Sequence, residues 1–132
     1  MFSVSHGIDI VEIKRISEVY KKFNKRFLNR ILTHKEVSTI INYNLNNNEM
    51  IKVLSGRYAC KEATAKAIGT GFSNGLRFTD FEIINNKMGQ PILIVSEKVK
   101  RIIKREFVSS VSISHEKKFA IASVIFYYPK NK

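Results

Sequence analysis

Between residues 49 and 68 the chain carries its longest helical pattern, and along it Ser55, Ala59, Ala63 and Ala67 recur at every fourth position. Positions four apart stack on one side of a helix, so these residues form a lane with almost no side-chain relief. A helix with such a lane can approach another element closely. Gly69 follows directly and can take the left-handed conformation that stops a helix.

The remaining organisation follows from hydrophobic period. Residues 3 to 12 alternate as a strand, with Val4, Ile8 and Ile10 on one face and Asp9 and Val11 on the other. Ile13 to about Ile31 switches to helical spacing, and Thr33 followed by Glu36 is a capping-box pattern that starts a short helix through Tyr43. The Asn-rich NYNLNNNE is a connector too short to separate domains. Strands are expected at Phe78–Asn85 and Pro91–Val95, flanking a turn at NNKMG that suits a hairpin or a longer loop. Ser96 caps a basic helix expected through Phe107, and two further strands, Val111–Ser114 and FAIASVIFYY, flank a turn at HEKK. The tail PKNK reads as mobile. At 132 residues and 15.2 kDa the chain suits one compact domain over residues 1–132. The expected class is α+β, a small and mostly antiparallel sheet packed against the long helix.

With 23 Lys and Arg against 11 Asp and Glu, the formal charge is +12, which points to polyanions or acidic proteins as partners. The single cysteine, Cys60, cannot close an internal disulfide and reads as a small helix residue. No apolar run reaches the length of a membrane span, and the N-terminus lacks the pattern of a secretory signal. A soluble, reducing, cytoplasmic setting is expected, with no membrane partner.

Two carboxylates stand where packing does not ask for charge. Asp9 lies between Ile8 and Ile10 in a strand, although Asp is a poor strand former, and Glu62 lies beside the small-residue lane. On a sheet with one wet face such an Asp needs no function, and Glu62 four residues before Lys66 is also a favoured exposed helix pair. The chemical alternative is a magnesium site. Magnesium takes oxygen ligands, often only one or two carboxylates, with water and substrate phosphates supplying the rest. Arg57, Lys61 and Lys66 on the same helix are expected to project cations toward that region.

A second pattern is the segregation of the first helix. Ile13, Ile16, Val19, Tyr20, Phe23 and Phe27 share one arc, whereas Lys14, Arg15, Lys21, Lys22, Lys25 and Arg26 share the opposite one. Only Glu18 interrupts the basic arc, which suits docking of an acidic helical partner. Gly69-Thr70-Gly71 lacks the Gly-Lys-Ser or Gly-Lys-Thr that a nucleotide-binding P-loop requires. His6, His34 and His115 lack the spacing and cysteine partners of a local zinc site, and His115, at a strand end, can serve as a turn residue or donate to a phosphate.

Five ordered blocks carry a resemblance over nearly the whole chain: GIDIVEIKRI, FLNRILTHKE, GRYACKEATAKAIGTG, FEIINNKMGQPIL and VSISHEKKFAIA. Together they resemble the holo-[acyl-carrier-protein] synthases, the short type of 4′-phosphopantetheinyl transferase, and imply that family's fold. The resemblance implies transfer of 4′-phosphopantetheine from coenzyme A to a serine of an acidic apo acyl carrier protein, releasing adenosine 3′,5′-bisphosphate and serving fatty acid biosynthesis. It implies Asp9 and Glu62 as magnesium ligands, and Lys66 as a contact to the coenzyme phosphates that assists the leaving group. Arg57, Lys61 and His115 are implied to line the coenzyme site, with Gly89 and Pro91 in the loop near the nucleotide. Arg15, Lys22 and Lys25 match basic positions on the carrier-binding helix. Ser5, His6 and Gln90 depart from the family pattern, away from the implied metal ligands. Because larger members of the superfamily resemble two fused units, a chain of this length is expected to form a homotrimer with active sites at subunit boundaries. A nucleic-acid-binding module is the chief rival on charge, and exposed aromatics interleaved with basic residues would favour it. A transferase serving polyketide or peptide carriers is the second.

Overall fold

The structure, a computed structural model, describes residues 3–130, so the end of the PKNK tail lies outside the described residues. Strand β1 (Val4–Glu12) leads into helices α1 (Ile13–Phe23), α2 (Lys25–Ile31), α3 (His34–Asn42) and α4 (Asn47–Ile68). A 3-10 turn at Phe78–Asp80 precedes the hairpin of β2 (Phe81–Asn85) and β3 (Pro91–Val95); α5 (Glu97–Ile103), β4 (Val108–His115) and β5 (Phe119–Tyr127) complete the chain. One antiparallel sheet has the order β1-β5-β4, and the β2–β3 hairpin forms a second. The class is therefore α+β, as expected.

The long helix is the centre of packing, and the small-residue lane explains how. Ser55, Ala59 and Ala63 are completely buried, and a Cβ built on Gly7 would stand 1.9 Å from the Ala63 carbonyl oxygen. Strand β1 and helix α4 therefore cross with backbone against backbone, which only glycine at position 7 permits. On the neighbouring strand Ala120 and Ala122 are equally buried and keep the same face low. The register pairs Gly7 with Val124 and Asp9 with Ala122, so Asp9 lies on the helix-covered face of the sheet. This corrects the wet-face reading of Asp9.

The other sheet face is open and mixed, with His6, Ser110, Ser112, Ser114 and Ser123 set among its apolar side chains and His6 Nε2 2.7 Å from Ser123 Oγ. Val4, Ile8, Ile10, Val108, Ile121, Ile125 and Tyr127 are all exposed, with Ile8 and Ile10 at 52% and 59%. Pairings of Val4 and Val108 with Tyr127, and of Ile10 with Ile121, place these side chains on one continuous surface. Exposed large hydrophobics gathered on one face beside hydroxyls suit an interaction surface.

Several boundaries differ from expectation for local reasons. The first helix breaks at Asn24, which takes a φ of 50° between α1 and α2. Asn tolerates positive φ better than most residues, and its N–H still bonds the Tyr20 carbonyl at 2.6 Å. Helix α5 stops at Ile103 rather than Phe107 because Lys104 adopts a φ of 62°. The capping box formed as read: Thr33 Oγ1 accepts from the Glu36 N–H at 3.2 Å, and Glu36 Oε1 accepts from the Thr33 N–H at 3.0 Å. Gly69 ends α4 at a φ of 95°.

Candidate active site

The crossing at Gly7 brings the two expected acids together. Asp9 lies two residues beyond the crossing on the same face of β1, and Glu62 and Lys66 lie beside Ala63 on α4. Lys66 Nζ donates to Asp9 Oδ1 and to the Ile8 carbonyl, each at 3.0 Å. Burial pushes the Glu62 carboxyl up, and the nearby charge of Asp9 adds to that rise, while Tyr58 and Lys66 oppose it. Two carboxylates close enough to repel, with one lysine already drawn to them, form a hard-oxygen donor set. That set fits a magnesium ion, which takes one or two protein carboxylates and leaves its other positions to water and phosphate.

Tyr58 is a member of this group that sequence reading missed. It lies one helical turn before Glu62, and the burial of its phenol, followed by the charge of Glu62, pushes its pKa up, whereas Arg15 pulls it down. Arg15 of α1 is therefore within electrostatic reach of Tyr58. The signal was present in the i, i+4 spacing of Tyr58, Glu62 and Lys66.

A second group of expected residues meets elsewhere. Arg57, Gly89, Pro91 and His115 line one cleft, together with Lys52 and Tyr43. Its volume is about 220 Å³, below the roughly 300–1,000 Å³ of complete small-molecule pockets. Neither Asp9, Glu62 nor Lys66 lines it. Arg57 and Glu62 are five positions apart, which sets them roughly 140° apart around the helix.

Lys61 is in neither place. Its side chain is fully buried, with Nζ donating at 2.6 Å to both Glu36 Oε1 and the Ile31 carbonyl. The expectation that Lys61 lines the coenzyme site is therefore corrected. One turn from Arg57 on the interior side of α4, it is held as an internal counter-ion to Glu36, and it does not project toward the acid pair. Cys60 is also buried, and desolvation pushes its thiol up to about 12, which removes it as a nucleophile.

The basic helix keeps its cations at the surface. Lys22 lies 5.3 Å over the Phe23 ring, and Lys25 begins α2 beyond the break. Phe27 packs partly buried against the core whereas Phe23 is exposed; with Val19, Arg26, Arg30, Tyr58 and Phe78 they line an open groove. The groove starts at Tyr58, next to the acid pair.

A family model described as the 4′-phosphopantetheinyl transferase superfamily matches residues 5–124. The holo-[acyl-carrier-protein] synthase of Campylobacter hominis is 46% identical over 121 residues, covering 90% of this chain and 94% of that protein. That of Geobacillus sp. is 44% identical over 119 residues, with 90% and 92% covered. Among solved structures, the holo-(acyl-carrier-protein) synthase of Bacillus anthracis in complex with CoA (3′,5′-ADP) is 37% identical with a TM-score of 0.79, covering 95% of this chain and 96% of that one. The Helicobacter pylori holo-[acyl-carrier-protein] synthase, in complex with coenzyme A, is 33% identical with a TM-score of 0.76, with 92% and 98% covered. The family model, the relatives and the solved structures agree over nearly the whole chain, and the chain belongs to the holo-[acyl-carrier-protein] synthases of the 4′-phosphopantetheinyl transferase superfamily.

Proposed function

We propose that this chain transfers the 4′-phosphopantetheine group of coenzyme A to a serine of an acidic apo acyl carrier protein, as a cytoplasmic enzyme supporting fatty acid biosynthesis. The observation that carries the reading is the Asp9–Glu62–Lys66 cluster at the crossing of β1 and α4. Asp9 and Glu62 would hold magnesium, which would supply charge neutralisation for the diphosphate and for the attacked phosphorus. The carrier serine oxygen forms a bond to the β-phosphorus, and the bond from that phosphorus to the oxygen bridging it to the nucleotide breaks. Adenosine 3′,5′-bisphosphate leaves, and the serine proton passes to a carboxylate or to water. Lys66 offsets charge on the departing phosphate, and Arg57, Gly89, Pro91 and His115 receive the coenzyme.

The carrier docks on the basic surface of Arg15, Lys22 and Lys25 by charge complementarity. The groove of Phe23 and Phe27 gives its apolar residues a place beside that surface. Exposed aromatics among arginines also occur in nucleic-acid modules, and membership of a transferase family is what favours the carrier. The single domain of residues 1–132 acts as a homotrimer with sites at subunit boundaries. Two features support this: the large hydrophobics exposed on the open sheet face, and the separation of the acid cluster from a cleft too small to be a whole site.

The test is a mass-shift assay with apo acyl carrier protein, coenzyme A and magnesium, run beside Asp9→Asn and Glu62→Gln. The unmutated chain adds the phosphopantetheine mass, and each variant loses activity by roughly 100-fold or more, the scale of removing a preorganised charge from a phosphoryl-transfer site. Absence of the mass gain rejects the transferase reading, and normal turnover by both variants rejects the metal ligands.

A further inference from the structure

The interior of the chain holds one carboxylate against two cations, a balance that the proposed chemistry does not use. Glu36 is 2% exposed, and its Oε1 accepts from Thr33 N–H at 3.0 Å and from Lys61 Nζ at 2.6 Å. Its Oε2 accepts from the Ile83 N–H at 3.2 Å and lies 3.6 Å from Arg57 Nε. The last distance is too long for a hydrogen bond. Arg57 is 6% exposed, and its Nε is buried without a hydrogen-bond partner. Glu82 does not share the load, because its Oε2 accepts from Thr33 Oγ1 at 2.6 Å.

The charges of Glu36, Lys61 and Arg57 sum to one excess positive charge in a low-dielectric interior. Arginine does not relieve this by losing its proton. Lysine takes the short contact, so Glu36 restrains Arg57 through charge alone and leaves its donor capacity unspent. A buried donor without a partner carries its desolvation cost until something accepts from it. Arg57 is also a wall of the cleft with Lys52, Gly89, Pro91 and His115, which is the place from which an anion can supply the missing charge.

We propose that Glu36 is a positioning residue for the coenzyme: it orients Arg57 toward the cleft while Lys61 consumes most of its charge, so that Arg57 stays available to a phosphate. The inference rests on the reading of that cleft as the coenzyme site. It assigns Lys61 a role through Glu36, with no contact to the ligand. It also gives the capping acid of α3 a second task, joining the start of α3, β2 and α4 at one carboxylate, with the end of α2 held through Lys61.

Two variants separate positioning from simple support of the fold. Glu36→Gln removes the charge in the same shape, and Glu36→Gln combined with Lys61→Met also removes the cation that would be stranded, an exchange of buried ion pair for apolar contact that proteins often tolerate. Both are measured for coenzyme A and inorganic pyrophosphate binding by titration calorimetry, for melting cooperativity, and for steady-state kinetics. The expected result in a cooperatively folded variant is a coenzyme dissociation constant and KM raised roughly tenfold or more, the scale of losing a charged hydrogen bond. The kcat at saturating coenzyme and the KM for carrier stay within about twofold, a split that loss of folded protein does not produce. Unchanged coenzyme affinity in the folded double variant overturns the proposal, and so does failure of both variants to fold, which makes Glu36 a structural support only. An unmutated chain that binds neither ligand and transfers nothing is a different result: it overturns the functional reading and this inference with it.

Discussion

The position of a single hydrogen in place of a methyl group governs the acid cluster. Gly7 has no side chain, and so the Ala63 carbonyl can occupy the space where a Cβ would stand, 1.9 Å away. That closeness lets Lys66 reach both Asp9 and the Ile8 carbonyl from α4. Gly7→Ala forces the helix and strand apart along backbone, where no side-chain rotamer can yield. The expected cost is about 1–3 kcal/mol in urea unfolding, the range of overpacked cores. Catalysis should fall further than stability, since widening the crossing separates Asp9 from Glu62. Transfer assayed well below the unfolding midpoint checks this: a variant less stable but as active as the parent would show that the crossing distance does not set the site.

Elements α1 and α2 divide the labour of the surface. The break at Asn24 turns Lys25 and Arg26 away from the single wheel that a continuous helix would have given, and Arg26 joins the groove of Phe23 and Phe27. Arg15, by contrast, stays within electrostatic reach of Tyr58 beside the acids. Charge reversal at Arg15, Lys22 and Lys25 together is therefore expected to raise the KM for an acidic carrier by roughly tenfold or more at low salt, and less at high salt, because exposed charges are screened over about 8–10 Å. The KM for coenzyme A should not follow. Parallel titrations of the two substrates at two ionic strengths test the division, and a parallel rise for coenzyme would assign these cations to the wrong substrate.

At the scale of the whole molecule, the β1-β5-β4 sheet has one face closed by α4 and one open face where aliphatic and aromatic side chains stand among His6 and several serines. Under the proposed assembly, this face meets a neighbour, and the acid cluster and the cleft, which stand apart on α4, would each be lent to another subunit. Ile10→Lys with Ile121→Lys places two charges side by side on that face, since the residues are paired across the strands. Light scattering after size exclusion should report monomers, with the far-UV spectrum kept and transfer lost. A monomer that remains fully active would place the entire site within one chain.

The amino-acid pattern was sufficient for whatever depends on near neighbours in the chain. Period, capping and helix-stopping residues located α4, α3 and β3, and the small-residue lane foretold a close helix contact, because each is decided within a few residues, whereas β2 starts at Phe81 after a 3-10 turn rather than at Phe78. Boundaries set by positive φ at Asn24 and Lys104 were missed, since neither residue type demands that conformation. Side-chain destinations belonged to tertiary structure. Lys61 and Lys66 are both lysines on one helix, yet one is sealed against Glu36 and the other reaches Asp9, because burial depends on which distant elements cover each side of α4. The two faces of β1 were likewise equal in alternation. Only the seat of the helix, fixed where Gly7 meets Ala63, turned Asp9 inward to Glu62 and left Ile8 and Ile10 uncovered.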